Sequence, residues 1–298
     1  MTVSDKRFPN FFILGAPKSG TTALSEYLRQ HPDVLFSQPK EPHFFNDDFS
    51  HRHIESMDAY LKCFSQGNGQ EHAVGEGSVF YLYSKTAVSN IMDLIPQARF
   101  IVMLRHPVEA AYSWHWQAMY SFGEDVEDFE IAWRSQKKRR SGEGLPPHNR
   151  VREALQYGPL FSYAEQLERL FELVPHERVH VILYDDFKKN TAFVYQQALN
   201  FLSLSPFYLQ TYQRINTSKR LRWPFVERMV AVVGRIKQSL GIRRGLGLLS
   251  FTKRMNTKYE RRPSLLPSFR SELEEYFKED VLRTAKLIDR NLSGWIHG

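Results

Sequence analysis

The sequence predicts an α/β fold in which a P-loop-like parallel β-sheet is flanked by helices, with a helical basic region near the C-terminus. Short apolar runs at 11–14, 99–104 and 179–184 have the length and composition of buried parallel strands. Amphipathic helical patterns alternate with these runs, as expected for a parallel sheet covered on both faces. The first run leads through a turn with two glycines into a helix, which is the geometry of an anion site.

The stretch FFILGAPKSGTTALSEYL, residues 11–28, organises the rest of the chain. Gly15 and Gly20 have the G-x-x-x-x-G spacing of nucleotide-binding loops. Thr21, however, stands where such a loop has its lysine, and Lys18 lies inside the turn instead. This motif alone leaves open the alternative interpretation that the segment is an ordinary βα turn. The phosphate-binding interpretation assigns the contacts to Pro17, Lys18, Ser19, Gly20, Thr21 and Thr22.

Polar residues follow the second predicted strand at the edge where ligands bind to open parallel sheets. This strand is expected at 33–37, and Lys40, Glu41 and His43 come in the loop that leaves it. The elements expected next are a short helix at 54–64, a third strand within 73–81, and a helix at 84–95 with Ser84 as its candidate N-cap.

The fourth strand ends in a cation. Residues 99–104 lead directly into Arg105, where an NTPase would place a Mg²⁺-binding aspartate. Ser113 lies about two turns into the next helix, 108–122, so this arginine and this hydroxyl could share one phosphate. The sequence therefore predicts an anion held without a metal. Three histidines lack the spacing of a metal site: His51, His53 and His72.

The C-terminal half continues the alternation of helices and strands. An insertion at 123–156 carries the basic run 137–140, interpreted either as a solvated face or as a rim for an acidic substrate. Asp185 and Asp186 follow the last strand and are interpreted as a cap for a helix at 193–202. The other helices are expected at 129–140, 157–173 and 268–290.

Composition indicates a globular chain whose basic charge is local. The 298 residues suffice for a single domain over 1–298, with a core at about 8–204 and a C-terminal helix within about 264–298. The net charge is +7, but residues 219–262 alone hold +11, which argues against a partner nucleic acid. The segment 219–262 is interpreted as a helical lid, or as a surface that contacts anionic lipid or a lipid-linked acceptor.

Two further observations bear on the compartment. The single cysteine, Cys63, excludes an internal disulfide and favours a reducing environment. No apolar stretch approaches the roughly 20 residues of a membrane span. These observations predict a cytoplasmic protein, peripheral at the inner membrane face under the lipid interpretation.

At this point the motifs resemble a known family. PKSGTT after a strand, with Arg105 at a strand end and Ser113 eight residues on, resembles the sulfotransferases that use 3′-phosphoadenosine 5′-phosphosulfate (PAPS). The segment KEPHFF, residues 40–45, is similar to that of the carbohydrate branch, which includes the heparan sulfate sulfotransferase domains and bacterial relatives. The resemblance covers about 11–204.

The resemblance implies the site's chemistry. PAPS would be the donor, adenosine 3′,5′-bisphosphate the product, and no metal would take part. Lys18 would neutralise the leaving phosphate, Glu41 would act as catalytic base, and His43 would assist it. Lys40 would contact the sulfuryl oxygens, unless it is an exposed loop lysine. Thr21 and Thr22 would hold the 5′ end of the nucleotide. Arg105 and Ser113 would hold its 3′-phosphate. Lys219 and Arg220 would belong to a basic loop that folds over that phosphate.

The acceptor is the least defined part of the resemblance. A small molecule, a glycan or a glycolipid would each offer a hydroxyl or an amine. Members of the branch often have a lysine followed two residues later by a proline. This chain has Gly77 and Val79 at those two positions, so it lacks that cation and a heparan-type acceptor is less expected. Two alternatives stay open: a P-loop kinase or NTPase, which needs ATP and Mg²⁺, and a nucleotide- or lipid-binding module without turnover.

Overall fold

The computed structural model of the chain describes residues 8–121, 123–212, 219–221, 257–259 and 263–296. It contains two compact units, one formed by residues 1–215 with 266–298 and the other by residues 216–265. The predicted end of a helix at Phe122 and most of the basic segment 219–262 lie outside the described residues.

The larger unit is built on a five-stranded parallel sheet with the order β2-β3-β1-β4-β5. β1 lies in the middle, and its Phe12 is in register with Glu76 on one side and with Phe100 on the other. The carboxyl ends of the central strands therefore meet at one edge, and the predicted α/β fold is confirmed. The strands are β1 (Phe11–Gly15), β2 (Val34–Phe36), β3 (Ala73–Glu76), β4 (Arg99–Leu104) and β5 (Val179–Leu183).

Helices connect and cover the strands. A right-handed crossover through a helix is the usual way to join two parallel strands, which explains the alternation along the chain. The α-helices of the larger unit are α1 (Thr21–Leu28), α2 (Met57–Lys62), α3 (Ala87–Leu94), α4 (Pro107–Tyr120), α5 (Phe129–Arg134), α6 (Gln136–Arg140), α7 (Tyr157–Phe161), α8 (Ala164–Leu173), α9 (Tyr184–Lys189), α10 (Thr191–Phe201) and α11 (Pro267–Leu287).

The core explains why β1 is apolar along its whole length. All five of its residues are buried, because one face packs under α1 and the other faces the opposite helical layer. Leu24 and Leu28 of α1 join Ile101 and Met103 of β4 in one buried cluster. Truncation of such a leucine to alanine typically costs about 2–5 kcal/mol, so α1 is held firmly in place over the sheet.

The helix predicted at 157–173 is two helices. α7 ends at Phe161, and α8 begins at Ala164. The Asp280 carboxylate on α11 accepts hydrogen bonds from the backbone N–H groups of Tyr163 (2.7 Å) and Ala164 (2.9 Å). A carboxylate that satisfies the first N–H groups of a helix starts a new one there, so a residue more than a hundred positions away sets this break.

The insertion also differs from the prediction. The helix expected at 129–140 is divided into α5 and α6 at Ser135. The basic run is not uniformly solvated: Arg139 is 1% exposed and donates two hydrogen bonds to the buried Glu124 carboxylate. Burial of an arginine requires such a partner. One of the four cations is therefore part of the core.

The prediction for Asp185 and Asp186 is wrong. Both lie in the first turn of α9, and the Asn190 side chain caps α10 by accepting a hydrogen bond from Phe193 N–H. Asp185 instead accepts from the Trp295 indole at 3.2 Å, and Asp186 pairs with Arg290 at 2.6 Å. The acidic pair fastens the C-terminal segment to α9.

Ser84 binds helix N–H groups without starting the helix. α3 begins at Ala87, three residues later than expected, with Thr86 at the N-cap position. The Ser84 hydroxyl accepts from the N–H groups of Thr86 and Ala87.

The described part of the smaller unit is a pair of short antiparallel strands, β6 (Lys219–Leu221) and β7 (Thr257–Tyr259). Lys219 and Arg220, expected in a loop over the nucleotide, therefore lie in a β-strand that is paired with Tyr259 and Lys258.

Candidate active site

The donor loop, residues 15–22, leaves the central strand and enters α1. Gly20 takes the N-cap position with φ 95°, a conformation that side chains with a Cβ rarely adopt. Gly15 is also required, because a Cβ there would lie 2.5 Å from the Val79 carbonyl oxygen. In the described residues, no side chain caps α1, so its first N–H groups and its dipole face the loop. These features fit a phosphate group.

Lys18 and Arg105 meet at this loop. Lys18 takes a left-handed conformation, with φ 63°, and its Nζ donates to Gln117 Oε1 on α4 at 3.3 Å. The Arg105 guanidinium donates to the Lys18 carbonyl at 3.2 Å. The two cations that the sequence identified in separate motifs therefore belong to one site.

Ser113 lies on the face of α4 that is turned towards these cations. Glu109, Ser113 and Gln117 are four residues apart and share one helix face. Glu109 lies 3.7 Å from Arg105, and Gln117 accepts from Lys18. Ser113, buried between them, is thereby placed on the same side of the helix as these cations, although it has no hydrogen bond to Arg105 in the described residues.

The Arg105 side chain is held in a defined place. Its guanidinium carbon lies 4.8 Å from the centre of the Tyr184 ring, a favourable cation–π distance. The Tyr163 hydroxyl donates to the Arg105 carbonyl at 3.0 Å, and this ring is fully buried. Burial raises the pKa of Tyr163, which therefore remains a hydroxyl donor.

The remaining residues of the donor loop are fixed close by. Ser19 is fully buried and its hydroxyl points to the Pro17 carbonyl at 3.5 Å. Thr21 is buried at the start of α1, and Thr22 accepts from Ser25 through its carbonyl. Two hydroxyls thus stand at the beginning of the helix, as the sequence predicts.

The acceptor loop, residues 40–45, carries a compact charged group. Lys40 Nζ lies 2.8 Å from Glu41 Oε1, and His43 Nε2 lies 3.5 Å from Glu41 Oε2. Burial by itself would raise the pKa of Glu41, but the Lys40 ammonium and the His43 imidazole outweigh it and hold the pKa at about 2. The Glu41 side chain keeps 36% of its surface exposed, so it can be reached from solvent.

Lys40 connects the two loops. Besides Glu41, its Nζ reaches Thr21 Oγ1 at 3.5 Å and the Gly77 carbonyl at 3.4 Å. Only 13% of the side chain is exposed, so the interpretation of Lys40 as an exposed loop lysine is wrong. Its stem also passes within 3.6 Å of where a Cβ on Gly77 would lie.

The acceptor loop is supported from β3 through its backbone. The N–H of His43 donates to Ser78 Oγ, and those of Phe44 and Phe45 donate to the Tyr81 hydroxyl. Both hydroxyls lie beside the buried Glu76 carboxylate at the end of β3. His43 itself has φ 52°, so the loop holds a non-glycine residue in a left-handed conformation.

Aromatic rings lie beside the His43 imidazole. The His43 ring lies 5.2 Å from Phe80, and Phe80 contacts Trp114 on α4 edge-on at 5.4 Å. Flat apolar surfaces of this kind next to polar groups are typical of ligand sites.

Sequence reasoning missed several members of the site. Gln117 could have been found, because it lies one helical turn beyond Ser113. Tyr163, Tyr184, Glu76 and Tyr81 are brought in by the fold and leave no motif. In the described part of the chain, no cluster of histidine, cysteine and carboxylate side chains could hold a metal ion. Among the described helices, none is long and apolar enough to cross a membrane.

The comparisons with known proteins agree with this geometry. The crystal structure of a sulfotransferase from Alicyclobacillus acidocaldarius superimposes with a TM-score of 0.74, at 28% identity, over 97% of this chain and 99% of that one. A bifunctional heparan sulfate N-deacetylase/N-sulfotransferase 3 from Mus musculus is 29% identical over 209 residues, which are 68% of this chain. A membrane-associated sulfotransferase from Dictyostelium discoideum is 33% identical over 107 residues, 35% of this chain.

The matched segments are about a quarter of the length of these two curated relatives, 23% and 22% respectively. The family described as the sulfotransferase domain matches residues 8–247, and these residues include both loops, both cations and the parallel sheet. The chain therefore belongs to the sulfotransferase domain family.

Proposed function

We propose that this protein transfers the sulfuryl group of PAPS to a hydroxyl or amine of a carbohydrate or glycolipid acceptor. The observation that carries the proposal is the reach of Lys40, which contacts both Thr21 of the donor loop and Glu41 of the acceptor loop. The Lys40 side chain thus reaches from the proposed binding site of the 5′-phosphosulfate to the carboxylate that is proposed to activate the acceptor.

On the donor side, the residues would bind and neutralise charge. Lys18 and the first N–H groups of α1 face the 5′-phosphate, which gains negative charge as its bond to sulfur breaks. Arg105 and Ser113 would hold the 3′-phosphate and fix the nucleotide in one orientation. The product on this side is adenosine 3′,5′-bisphosphate.

On the acceptor side, Glu41 would take the proton that the acceptor oxygen or nitrogen loses as it bonds to sulfur. His43 would orient the carboxylate from 3.5 Å. A pKa of about 2 makes Glu41 a weak base while Lys40 is paired with it. If Lys40 turns to the sulfuryl oxygens when the donor binds, the pKa of Glu41 rises and the base becomes stronger as it is needed.

Lys40 also accounts for the departure at Gly77. A Cβ at position 77 would lie 3.2 Å from the Phe36 ring and 3.6 Å from Lys40 Cε, so the glycine leaves space for the ring and for a cation that arrives from the acceptor loop. We infer that Lys40 supplies the charge that the resembled branch often places at position 77. The carbohydrate class of acceptor rests on the names of the mammalian relatives, which are heparan sulfate N-sulfotransferases.

The deciding experiment has two parts. Calorimetry should show binding of adenosine 3′,5′-bisphosphate without Mg²⁺ and much weaker binding of ATP–Mg²⁺, whereas the reverse would favour a kinase. Incubation with [³⁵S]PAPS and fractionated cell extract should place label in glycan or glycolipid. Binding of the bisphosphate with no labelled product, while a known sulfotransferase labels the same extract, would favour the non-catalytic module.

Contact of the basic segment 219–262 with anionic lipid is a separate proposal, supported by its local charge of +11. At low salt the protein should float with anionic vesicles, and it should be released at high salt, because screening weakens such attraction. No flotation at any ionic strength would leave the lid interpretation. A cytoplasmic location is proposed from the single cysteine, and a peripheral position at the inner membrane face from the local charge.

A further inference from the structure

Glu76 is a buried carboxylate that the proposed chemistry does not use. It is the last residue of β3, next to the central strand, and it is fully buried. Three hydroxyls surround it: Ser78 at 2.5 Å from Oε1, and Tyr60 and Tyr81 at 2.7 and 3.4 Å from Oε2. Burial raises the pKa of Glu76, and the three hydroxyls oppose that rise. A buried acid with this many hydrogen-bond partners needs a reason to be there.

The direction of the hydrogen bonds gives the reason. Ser78 Oγ accepts from His43 N–H at 3.0 Å. The Tyr81 oxygen accepts from Phe44 N–H at 2.9 Å and from Phe45 N–H at 3.2 Å. Because these two hydroxyls face N–H donors, their own protons must point elsewhere, and the Glu76 carboxylate is the acceptor that takes both. Glu76 thus fixes the orientation of two hydroxyls, which in turn bind three successive amides.

The three amides belong to the part of the acceptor loop that needs support. His43 has φ 52°, which is unfavourable for a residue with a Cβ and persists only where its surroundings hold it. Its imidazole lies 3.5 Å from Glu41. Tyr60 supports the same loop by packing, since its ring stacks on Phe44 at 4.6 Å, while its hydroxyl donates to Glu76.

We propose that Glu76 is a positioning residue: through Ser78 and Tyr81 it holds residues 43–45 so that His43 and Glu41 meet the acceptor in the productive geometry. This inference rests on the proposed function for its kinetic consequences, but the hold on the loop is independent of it. Glu76 does not touch donor or acceptor and takes no part in proton transfer.

The test compares Glu76→Gln with Tyr60→Phe. Glutamine keeps the shape of Glu76 but presents an NH₂ donor to one of the hydroxyls, which must then turn its proton towards a loop amide. Tyr60→Phe removes one hydroxyl from the same carboxylate, keeps the ring that stacks on Phe44, and leaves Ser78 and Tyr81 in place. It is the matched control for a general loss of hydrogen bonding at Glu76.

Four readouts separate positioning from a purely structural role. Amide hydrogen exchange at residues 43–45 should accelerate in Glu76→Gln and stay near wild type in Tyr60→Phe. The affinity for adenosine 3′,5′-bisphosphate should change less than about twofold in both, because the donor loop is intact, whereas kcat should fall by about 10²-fold in Glu76→Gln alone. The acid limb of its pH–rate profile should also move up, because Glu41 loses the His43 contacts that help Lys40 to lower its pKa.

Unchanged exchange at residues 43–45 in a folded Glu76→Gln variant would overturn the inference, as would equal effects in both variants. If the wild-type protein transfers no sulfuryl group, the proposed function fails, and the exchange comparison alone decides the inference. Should Glu76→Gln fail to fold, Glu76→Asp carries the same test, because it keeps the charge but withdraws the carboxylate from the Ser78 and Tyr81 hydroxyls.

Discussion

The donor loop and the acceptor loop lie at the same edge of the sheet, but they are built in different ways. The donor loop is fixed by its neighbours in sequence and by the adjacent strand, for example through Ala16 N–H to the Met103 carbonyl at 2.6 Å. The acceptor loop is fixed by side chains some 35 residues further along the chain, Ser78 and Tyr81, which a buried acid orients. The contacts that hold the donor loop lie largely within its own motif, whereas the residues that hold the acceptor loop lie outside the KEPHFF segment and cannot be recognised from it.

The loops should also differ in what they do to the reaction, and the largest effect separates them. Glu41→Gln should lower the rate of transfer by roughly 10²–10⁴-fold, the usual cost of losing a general base. Affinity for adenosine 3′,5′-bisphosphate should stay near wild type, since the proposed function places Glu41 at the acceptor and not at the nucleotide. Single-turnover transfer and calorimetry on the same sample measure both quantities.

If the only role of Glu41 is to pair with Lys40, Glu41→Gln should lose some stability and keep most of its rate of transfer. Intact nucleotide affinity with wild-type transfer would remove Glu41 from the mechanism and make His43 the next candidate base. Glu153→Gln provides a control, since it removes the charge from another partly exposed glutamate that pairs with its neighbouring arginine.

This contrast explains which parts of the molecule sequence could predict. β4 was predicted at the bounds observed, Arg99–Leu104, because a buried parallel strand is apolar throughout and ends at a charge. The donor loop and Arg105 were predicted because glycine, lysine and a strand-end arginine carry local signals. The residues that hold them, such as Tyr163 and Tyr184, come from the other half of the chain.

The errors have the same origin. The helix at 157–173 has continuous periodicity, and only Asp280 on a distant helix shows where it breaks. Arg139 belongs to a basic run that indicates a solvated face until Glu124 is placed against it. Periodicity reports which face is buried, but not which partner meets that face, so caps and buried ion pairs between distant segments escape it.

The second prediction tests whether the donor side recognises the 3′-phosphate through Arg105. The wild-type protein should bind adenosine 3′,5′-bisphosphate more tightly than AMP by about 1.5–3 kcal/mol, the size of a charge-assisted contact. Arg105→Ala should erase this difference, because it weakens the binding of the bisphosphate and leaves that of AMP unchanged. Calorimetry with both nucleotides is sufficient. Equal affinities in the wild type would contradict the assignment of Arg105 and Ser113, and Arg134→Ala, which removes a surface arginine, should leave the difference intact.

A third prediction addresses the cation shared by the two loops. Lys40→Ala should slow transfer on the order of tenfold, the lower range for a lost charged hydrogen bond. Without this ammonium the pKa of Glu41 should rise from about 2 towards 4.5, so the acid limb of the pH–rate profile moves up. Adding Gly77→Lys to this variant should restore part of the rate, because the Lys40 stem no longer occupies the space beside position 77 and only the Phe36 ring, 3.2 Å from the new Cβ, has to adjust.

The single variant Gly77→Lys is the control for the third prediction, because there two stems would compete for one space. A double variant that is no faster than Lys40→Ala would show that a cation at position 77 cannot replace Lys40. The transfer rate at saturating PAPS distinguishes these results.

The smallest effect separates charge from backbone conformation within the donor loop. Lys18 sits at φ 63°, where a side chain with a Cβ costs roughly 1–2 kcal/mol. Lys18→Ala and Lys18→Gly both remove the ammonium, so both should lose most of the transfer step. They should differ in stability. A glycine at position 18 adopts the left-handed conformation without strain, but it makes the unfolded chain more flexible, which lowers stability by about 0.5–1 kcal/mol. The glycine variant should therefore be the more stable by up to about 1 kcal/mol in urea unfolding, the reverse of their order at an ordinary helix position. If the alanine variant is the more stable, the strain at position 18 is small. A difference in transfer rate between the two variants would then report an effect of loop geometry in addition to the lost charge.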